Sequence, residues 1–125
     1  MIYLDTHVVV WLYSGDHVRI PRLAREQLSA EDVRISPMVV LELALLHEIG
    51  RLSSTPDDAL AYLAQRIGLT ICDLPFSSVV DAAASLVWTR DPFDRLIVAQ
   101  AAVRGSPLIT IDRRIRASYP HTIWD

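Results

Sequence analysis

The chain contains no lysine; all twelve of its basic residues are arginine. A GC-rich genome, which favours arginine codons, is the simple reading of that composition. It also excludes a phosphate-binding loop ending in Gly-Lys-Ser/Thr, which needs a lysine ammonium on the phosphates. Cysteine is almost absent. Lone Cys72 cannot form an internal disulfide, and its apolar, strand-like surroundings predict a buried thiol and a cytoplasmic protein. No apolar run approaches the roughly 18 residues of a membrane span. The N-terminus lacks a basic region and a small-residue cleavage site, so no secretory signal is expected. His7, His17, His47 and His121 share no ligand spacing, which excludes a zinc site built from His and Cys. No Gly-x-Ser-x-Gly elbow is present to expose a nucleophilic serine.

What the chain does have is core material. It is 125 residues long and 51% hydrophobic, with a mean hydropathy of +0.27, enough for one domain over 1–125. Ile2 to Leu4, Val33 to Ser36, Leu69 to Leu74 and Pro107 to Ile111 read as short strands, with Thr122 to Trp124 a candidate edge strand. Helices fill the intervals. Thr6 is a candidate cap for one running to Tyr13. Pro21 starts a second to Ser29, with Ile20, Leu23, Ala24 and Leu28 on one face. Pro37 opens a third through Leu46, ended by Gly50. Thr55 starts a fourth, stopped by Gly68, and Ser77 or Ser78 caps a fifth through Val87. Asp91-Pro92 opens a sixth ended by Gly105, and a short helix carries Arg113, Arg114 and Arg116. Strands that alternate with helices, and that are continuously apolar, predict an α/β fold with a mainly parallel sheet of four to five strands covered on both faces.

Four acids interrupt this apolar material: Asp5 after the first strand, Glu42 inside the third helix, Asp94 before Leu96-Ile97-Val98-Ala99, and Asp112 after the fourth strand. Buried carboxylates are costly unless paired or bound to a cation. Asp5 and Asp112 end strands, at the sheet edge where open α/β folds bind ligands. Glu42 has no basic residue three or four positions away to pair with. Oxygen-only ligand sets suit hard divalent cations such as Mg²⁺ or Mn²⁺, which stabilise charge on a phosphate and activate water. The four acids are therefore expected to form one cation site for metal-assisted phosphodiester hydrolysis. Asp91 is expected to cap the sixth helix instead, with Asp94 closing a capping-box-like start. Asp73, at the end of the third strand, is expected to serve a loop or cap. Net charge is −3, but setting aside Asp5, Glu42, Asp91, Asp94 and Asp112 leaves ten acids against twelve arginines. Arginine binds phosphate bidentately.

The run Arg90-Asp91-Pro92-Phe93-Asp94-Arg95-Leu96-Ile97-Val98-Ala99-Gln100-Ala101 resembles the PIN-domain ribonucleases, specifically the VapC toxins of bacterial toxin–antitoxin pairs. Tyr3-Leu4-Asp5-Thr6-His7, Leu41-Glu42-Leu43-Ala44 with Gly50-Arg51-Leu52, and Leu108-Ile109-Thr110-Ile111-Asp112 agree with that family in order. The resemblance implies a three-layer α/β/α PIN-like fold and Mg²⁺- or Mn²⁺-dependent cleavage of RNA. It further implies a homodimer, inhibited by a VapB-type antitoxin whose C-terminal segment wraps the toxin and reaches its active site. Carried over by motif, Asp5, Glu42, Asp94 and Asp112 are the catalytic and metal-binding acids, Thr6 and Thr110 are supporting hydroxyls, and Arg95 is a phosphate or antitoxin contact. Close relatives often carry His where this chain has Thr89, so a role for that His does not transfer.

Two other readings compete. One is a phosphatase- or receiver-like enzyme that forms an aspartyl-phosphate; the first would need Asp-x-Asp where Asp5-Thr6-His7 stands, and the second a lysine. The other is a catalytically silent dimerisation or binding module. Arg113, Arg114 and Arg116 suit either an RNA backbone or a solvated helix face. Trp11 and Trp88 are expected in the core or a dimer interface, and Trp124 in edge packing.

Overall fold

In the computed structural model, which describes residues 1–125, five strands form one entirely parallel sheet in the order β3-β2-β1-β4-β5. The strands are β1 (Ile2–Leu4), β2 (Val33–Ile35), β3 (Thr70–Ile71), β4 (Leu108–Ile109) and β5 (Thr122–Ile123). The helices are α1 (Thr6–Tyr13), α2 (Arg22–Ala30), α3 (Pro37–Glu48), α4 (Pro56–Ile67), α5 (Phe76–Ala83), α6 (Pro92–Ala102) and α7 (Arg113–Ser118). A short 3-10 helix, His17–Arg19, links α1 to α2 and was not expected from the sequence. The α/β architecture with a parallel sheet is as the strand–helix alternation predicts.

The central strand β1 is wholly buried, and Ile2, Tyr3 and Leu4 sit within a core that includes Val8, Val9, Ile35, Leu43, Ile97, Val98, Leu108 and Ile109. Each fully buried branched aliphatic contributes about 1.5–3 kcal/mol relative to exposure. Tyr3 is an exception to the all-apolar rule. Its hydroxyl donates to the buried Cys72 Sγ at 3.0 Å, which gives Cys72 a structural task as well as a hidden position.

Local chemistry set the helix limits, and it departs from expectation in instructive places. Asp5, rather than Thr6, caps α1, and Thr6 becomes its first residue. Pro21 is the cap of α2 rather than its first residue, and Leu23 points to solvent while Ile20 and Ala24 are buried. Ser36 leaves β2 to cap α3, accepting from Met38 N–H at 3.1 Å. Thr55 caps α4, and Gly68 ends it in the left-handed conformation (φ 69°), as its sequence signals predict. Neither Ser77 nor Ser78 caps α5. The helix begins at Phe76, directly after Pro75, and stops at Ala83, four residues before Val87. Strand β3 is shorter than the apolar run 69–74 and exposed, because it forms the sheet edge. Asp73 lies exposed beyond it and caps no helix.

Candidate active site

Sheet order places the acids. From β1 the chain crosses to β2 on one side, while β4 returns on the other, with Leu4 aligned to Ile109. The carboxyl ends of β1 and β4 therefore adjoin at the point where strand order reverses, the position at which open α/β sheets build crevices. Asp5 follows β1, and Thr110 follows β4.

Asp5 is 6% exposed and fully engaged. Its Oδ1 accepts from Thr6 N–H at 2.8 Å and its Oδ2 accepts from the Thr110 hydroxyl at 2.6 Å. Burial raises the pKa of Asp5; the bonds from Thr110 and Thr6 oppose that, and the charge of Asp112 adds to it. Thr110 is completely buried, and its oxygen also accepts from Asp112 N–H at 3.0 Å. Asp112 caps α7 through Oδ1, which accepts from Arg114 and Ile115 N–H at 2.9 and 3.0 Å. Its second carboxylate oxygen makes no hydrogen bond within the protein.

Glu42 lies more than one turn into α3, half-buried. It accepts from the Thr6 hydroxyl at 2.5 Å, a contact that ties α3 to the start of α1. Burial raises its pKa, the Thr6 bond lowers it, and the neighbouring Asp5 charge raises it again. Thr6 thus supports Glu42 directly, and its hydroxyl is not a helix cap.

Asp94 enters from the first turn of α6. Asp91 caps this helix, accepting from Phe93 N–H at 2.9 Å. The expected capping box does not close, because Asp91 N–H donates to the Thr89 hydroxyl at 3.2 Å rather than to Asp94. Thr89 therefore relieves Asp94 of a capping duty and leaves its carboxylate free. The consequence is electrostatic: burial, followed by the like charges of Asp91, Asp112, Asp5 and Glu42, pushes the Asp94 pKa up to about 6. No opposing cation offsets this. Thr89 is the residue whose contribution the sequence reading missed; a Thr two residues before an Asp-Pro helix start is its local signal.

Arg95 does not join the acids. Its Nε donates to the Thr89 carbonyl at 2.6 Å, and it pairs with none of the four carboxylates. It braces the loop before α6 and borders a small apolar groove formed with Val80, Ala83, Pro92 and Leu96. The four histidines stay apart: His47 Nδ1 bonds the Leu52 carbonyl, His121 packs on Tyr119, and His7 lies near Trp11. Trp11 contacts Trp124 at 6.0 Å between ring centroids, and Trp88 packs against the core.

Asp5, Glu42, Asp94 and Asp112 thus approach one another from four elements closely enough to repel. Their oxygen-only donor set suits a hard cation; burial first, and neighbouring carboxylate charge after it, raises the pKa values of Asp5, Glu42 and Asp94, and a cation would offset both costs. No three of the side chains are gathered into a ready-made ligand cage. Fit therefore rests on donor chemistry and charge.

The PIN domain family profile matches residues 2–119. Ribonuclease VapC22 of Mycobacterium tuberculosis is 30% identical over an alignment covering 98% of each chain. Two solved structures share the fold over nearly their whole length. One is VapBC2 of Rickettsia felis bound to a DNA fragment from its promoter, at TM-score 0.71 and 19% identity, covering 100% of this chain and 98% of that one. The other is a toxin–antitoxin complex from Klebsiella pneumoniae, at TM-score 0.68 and 18% identity, covering 99% and 97%.

Proposed function

This chain belongs to the PIN-domain family, and on that premise we propose that it is a divalent-metal-dependent endoribonuclease acting as the toxin of a toxin–antitoxin pair. The observation that carries the reading is geometric: Thr110 joins Asp5 to the backbone of Asp112, and Thr6 joins Asp5 to Glu42, so acids from distant parts of the chain share one rim with Asp94, whose carboxylate is raised first by burial and then by their charge. Asp5, Glu42, Asp94 and Asp112 would hold Mg²⁺ or Mn²⁺. Such an ion, when bound, neutralises charge on the scissile phosphodiester and makes water a better nucleophile.

The protein's own part is positioning. Thr110 and the Thr6 N–H fix both oxygens of Asp5, so this acid presents a set orientation rather than a choice of rotamers. Thr6 does the same for one oxygen of Glu42. Asp112 keeps one oxygen on the α7 backbone and leaves the other without a partner in the protein. Asp94 carries the least internal bonding, so its ionisation is the step most sensitive to the bound charge.

Toxin function brings a VapB-type antitoxin as partner and RNA as substrate. Support comes from the full-length match to a ribonuclease named VapC22 and from shared folds with VapBC and other toxin–antitoxin complexes. A homodimer is supported by exposed apolar side chains at helical spacing: Leu41, Leu45 and Ile49 along α3 and beyond its end, and Phe76 and Val80 on α5. No helix is long and apolar enough to cross a membrane. The test is RNA cleavage by the purified chain with Mn²⁺ and with a chelator, beside Asp5→Asn. Cleavage is expected only with the metal and only in the unsubstituted protein, while Asp5→Asn keeps the native circular dichroism. Equal cleavage by Asp5→Asn, or cleavage undiminished in chelator, would overturn the assignment.

A further inference from the structure

Beside the acids runs a second feature that the cation site does not use. The segment between α5 and α6 and the first turn of α7 enclose a groove of about 510 Å³, lined by Val87, Trp88, Thr89, Arg90, Asp91 and Arg114. It is continuous in sequence with the catalytic acids on both walls. Asp91 caps the helix that carries Asp94, and Arg114 follows Asp112 by two residues. Both arginines are exposed, and neither forms an ion pair, whereas Arg19, Arg22 and Arg34 are each held by an acid. The one acid in the lining, Asp91, spends Oδ1 on Phe93 N–H. Trp88, partly buried against the core, also lines the groove.

We propose that this groove is the subsite for the single-stranded RNA segment flanking the scissile phosphodiester, with Arg90 and Arg114 holding a backbone phosphate and Trp88 packing against a base. The inference rests on the ribonuclease reading above and adds where the substrate lies. Two unpaired guanidiniums lining one groove match a phosphate, which they can bind bidentately. A partly buried indole in the same lining matches an unstacked base, the combination by which proteins hold single strands without reading sequence. The strand enters past the arginines and delivers the next phosphodiester to Asp94 and Asp112.

The test uses the full chain carrying Asp5→Asn, so that RNA is bound and not consumed. The probe is a random-sequence single-stranded oligoribonucleotide pool, with affinity measured across salt concentrations in Mn²⁺. Adding Arg90→Gln and Arg114→Gln is expected to weaken binding about tenfold or more. It should also lower the salt slope by about 0.7, the loss of one phosphate contact to a single strand. Arg25→Gln with Arg66→Gln, two arginines of a separate groove bounded by α2 and α4, is expected to leave the slope unchanged. An unchanged slope in the Arg90/Arg114 variant overturns the subsite. An equal loss in the Arg25/Arg66 variant also overturns it, by reducing the effect to overall charge. Failure of the unsubstituted chain to cleave the same pool in Mn²⁺ would instead remove the ribonuclease reading on which the subsite rests. Should the arginine variants lose antitoxin binding while keeping RNA affinity, the groove belongs to a protein partner and the proposal falls.

Discussion

The Thr110 hydroxyl donates to Asp5 Oδ2 at 2.6 Å, joining residues 105 positions apart across the adjacent ends of β4 and β1. The Thr110 hydroxyl oxygen also accepts from Asp112 N–H, so one buried side chain aligns two acids. Thr110→Val keeps the shape and removes both functions. Stability is expected to fall by about 1–3 kcal/mol, because a buried carboxylate loses its donor. The pKa of Asp5 rises further once the bond that opposes burial is gone. Urea denaturation checks the first effect, and a pH–rate profile whose acidic limb moves to higher pH checks the second. An unchanged profile would separate Thr110 from the catalytic acids.

Glu42 offers a cleaner division between structure and chemistry. Glu42→Gln keeps an oxygen for the Thr6 hydroxyl and removes a charge that repels Asp5. The metal-free protein is expected to be as stable as the parent or more so. RNA cleavage should fall by about 10- to 100-fold or more, as for loss of a group that supports a metal site. A variant that loses stability while keeping full cleavage would give Glu42 a structural role only.

Asp94 sets a pH dependence whose sign is unusual for a carboxylate. Its folded pKa of about 6 lies above the unfolded value near 3.8, so the folded state binds the proton more tightly. The resulting stability is fully present below about pH 4 and is lost as pH rises through about 6. Asp5 and Glu42, also raised, act in the same direction. Thermal melts of the metal-free protein are expected to show this loss on going from acidic to neutral pH. Mn²⁺ should reverse it at neutral pH, and Asp94→Asn should flatten it. Melting temperatures that climb steadily over the same range in the metal-free protein would count against the charge crowding described here.

Cys72 carries a prediction about the core. Burial pushes the Tyr3 hydroxyl well above its ordinary pKa, so it remains a donor, and Cys72 Sγ is its acceptor at 3.0 Å. Cys72→Ala leaves that hydroxyl buried without a partner and is expected to cost about 1–3 kcal/mol. Cys72→Ser restores an acceptor and should recover part of the loss. RNA cleavage below the melting transition should be unaffected in both. A silent Cys72→Ala in chemical denaturation would show that the Tyr3 bond contributes nothing net.

The sequence by itself determined the alternation of strands and helices, because Gly68, Pro37, Pro92 and the short apolar runs act through local backbone physics. It also determined the parallel sheet, since continuously apolar strands need cover on both faces. The four acids were legible for a similar reason: a carboxylate such as Glu42, set among leucines with no basic neighbour, has no inexpensive local explanation. Tertiary structure decided what each neighbour does. Thr6 looked like a helix cap, but Asp5 takes that position, and only the approach of α3 gives the Thr6 hydroxyl Glu42 to hold. Asp94 looked able to close a capping box until Thr89 took the Asp91 N–H. Arg95 looked free for phosphate, yet the loop before α6 draws it to the Thr89 carbonyl. In each case two or three partners compete for one hydrogen bond. Local propensity names the competitors, and long-range packing selects among them by bringing residues such as Asp5 and Thr110 within 2.6 Å.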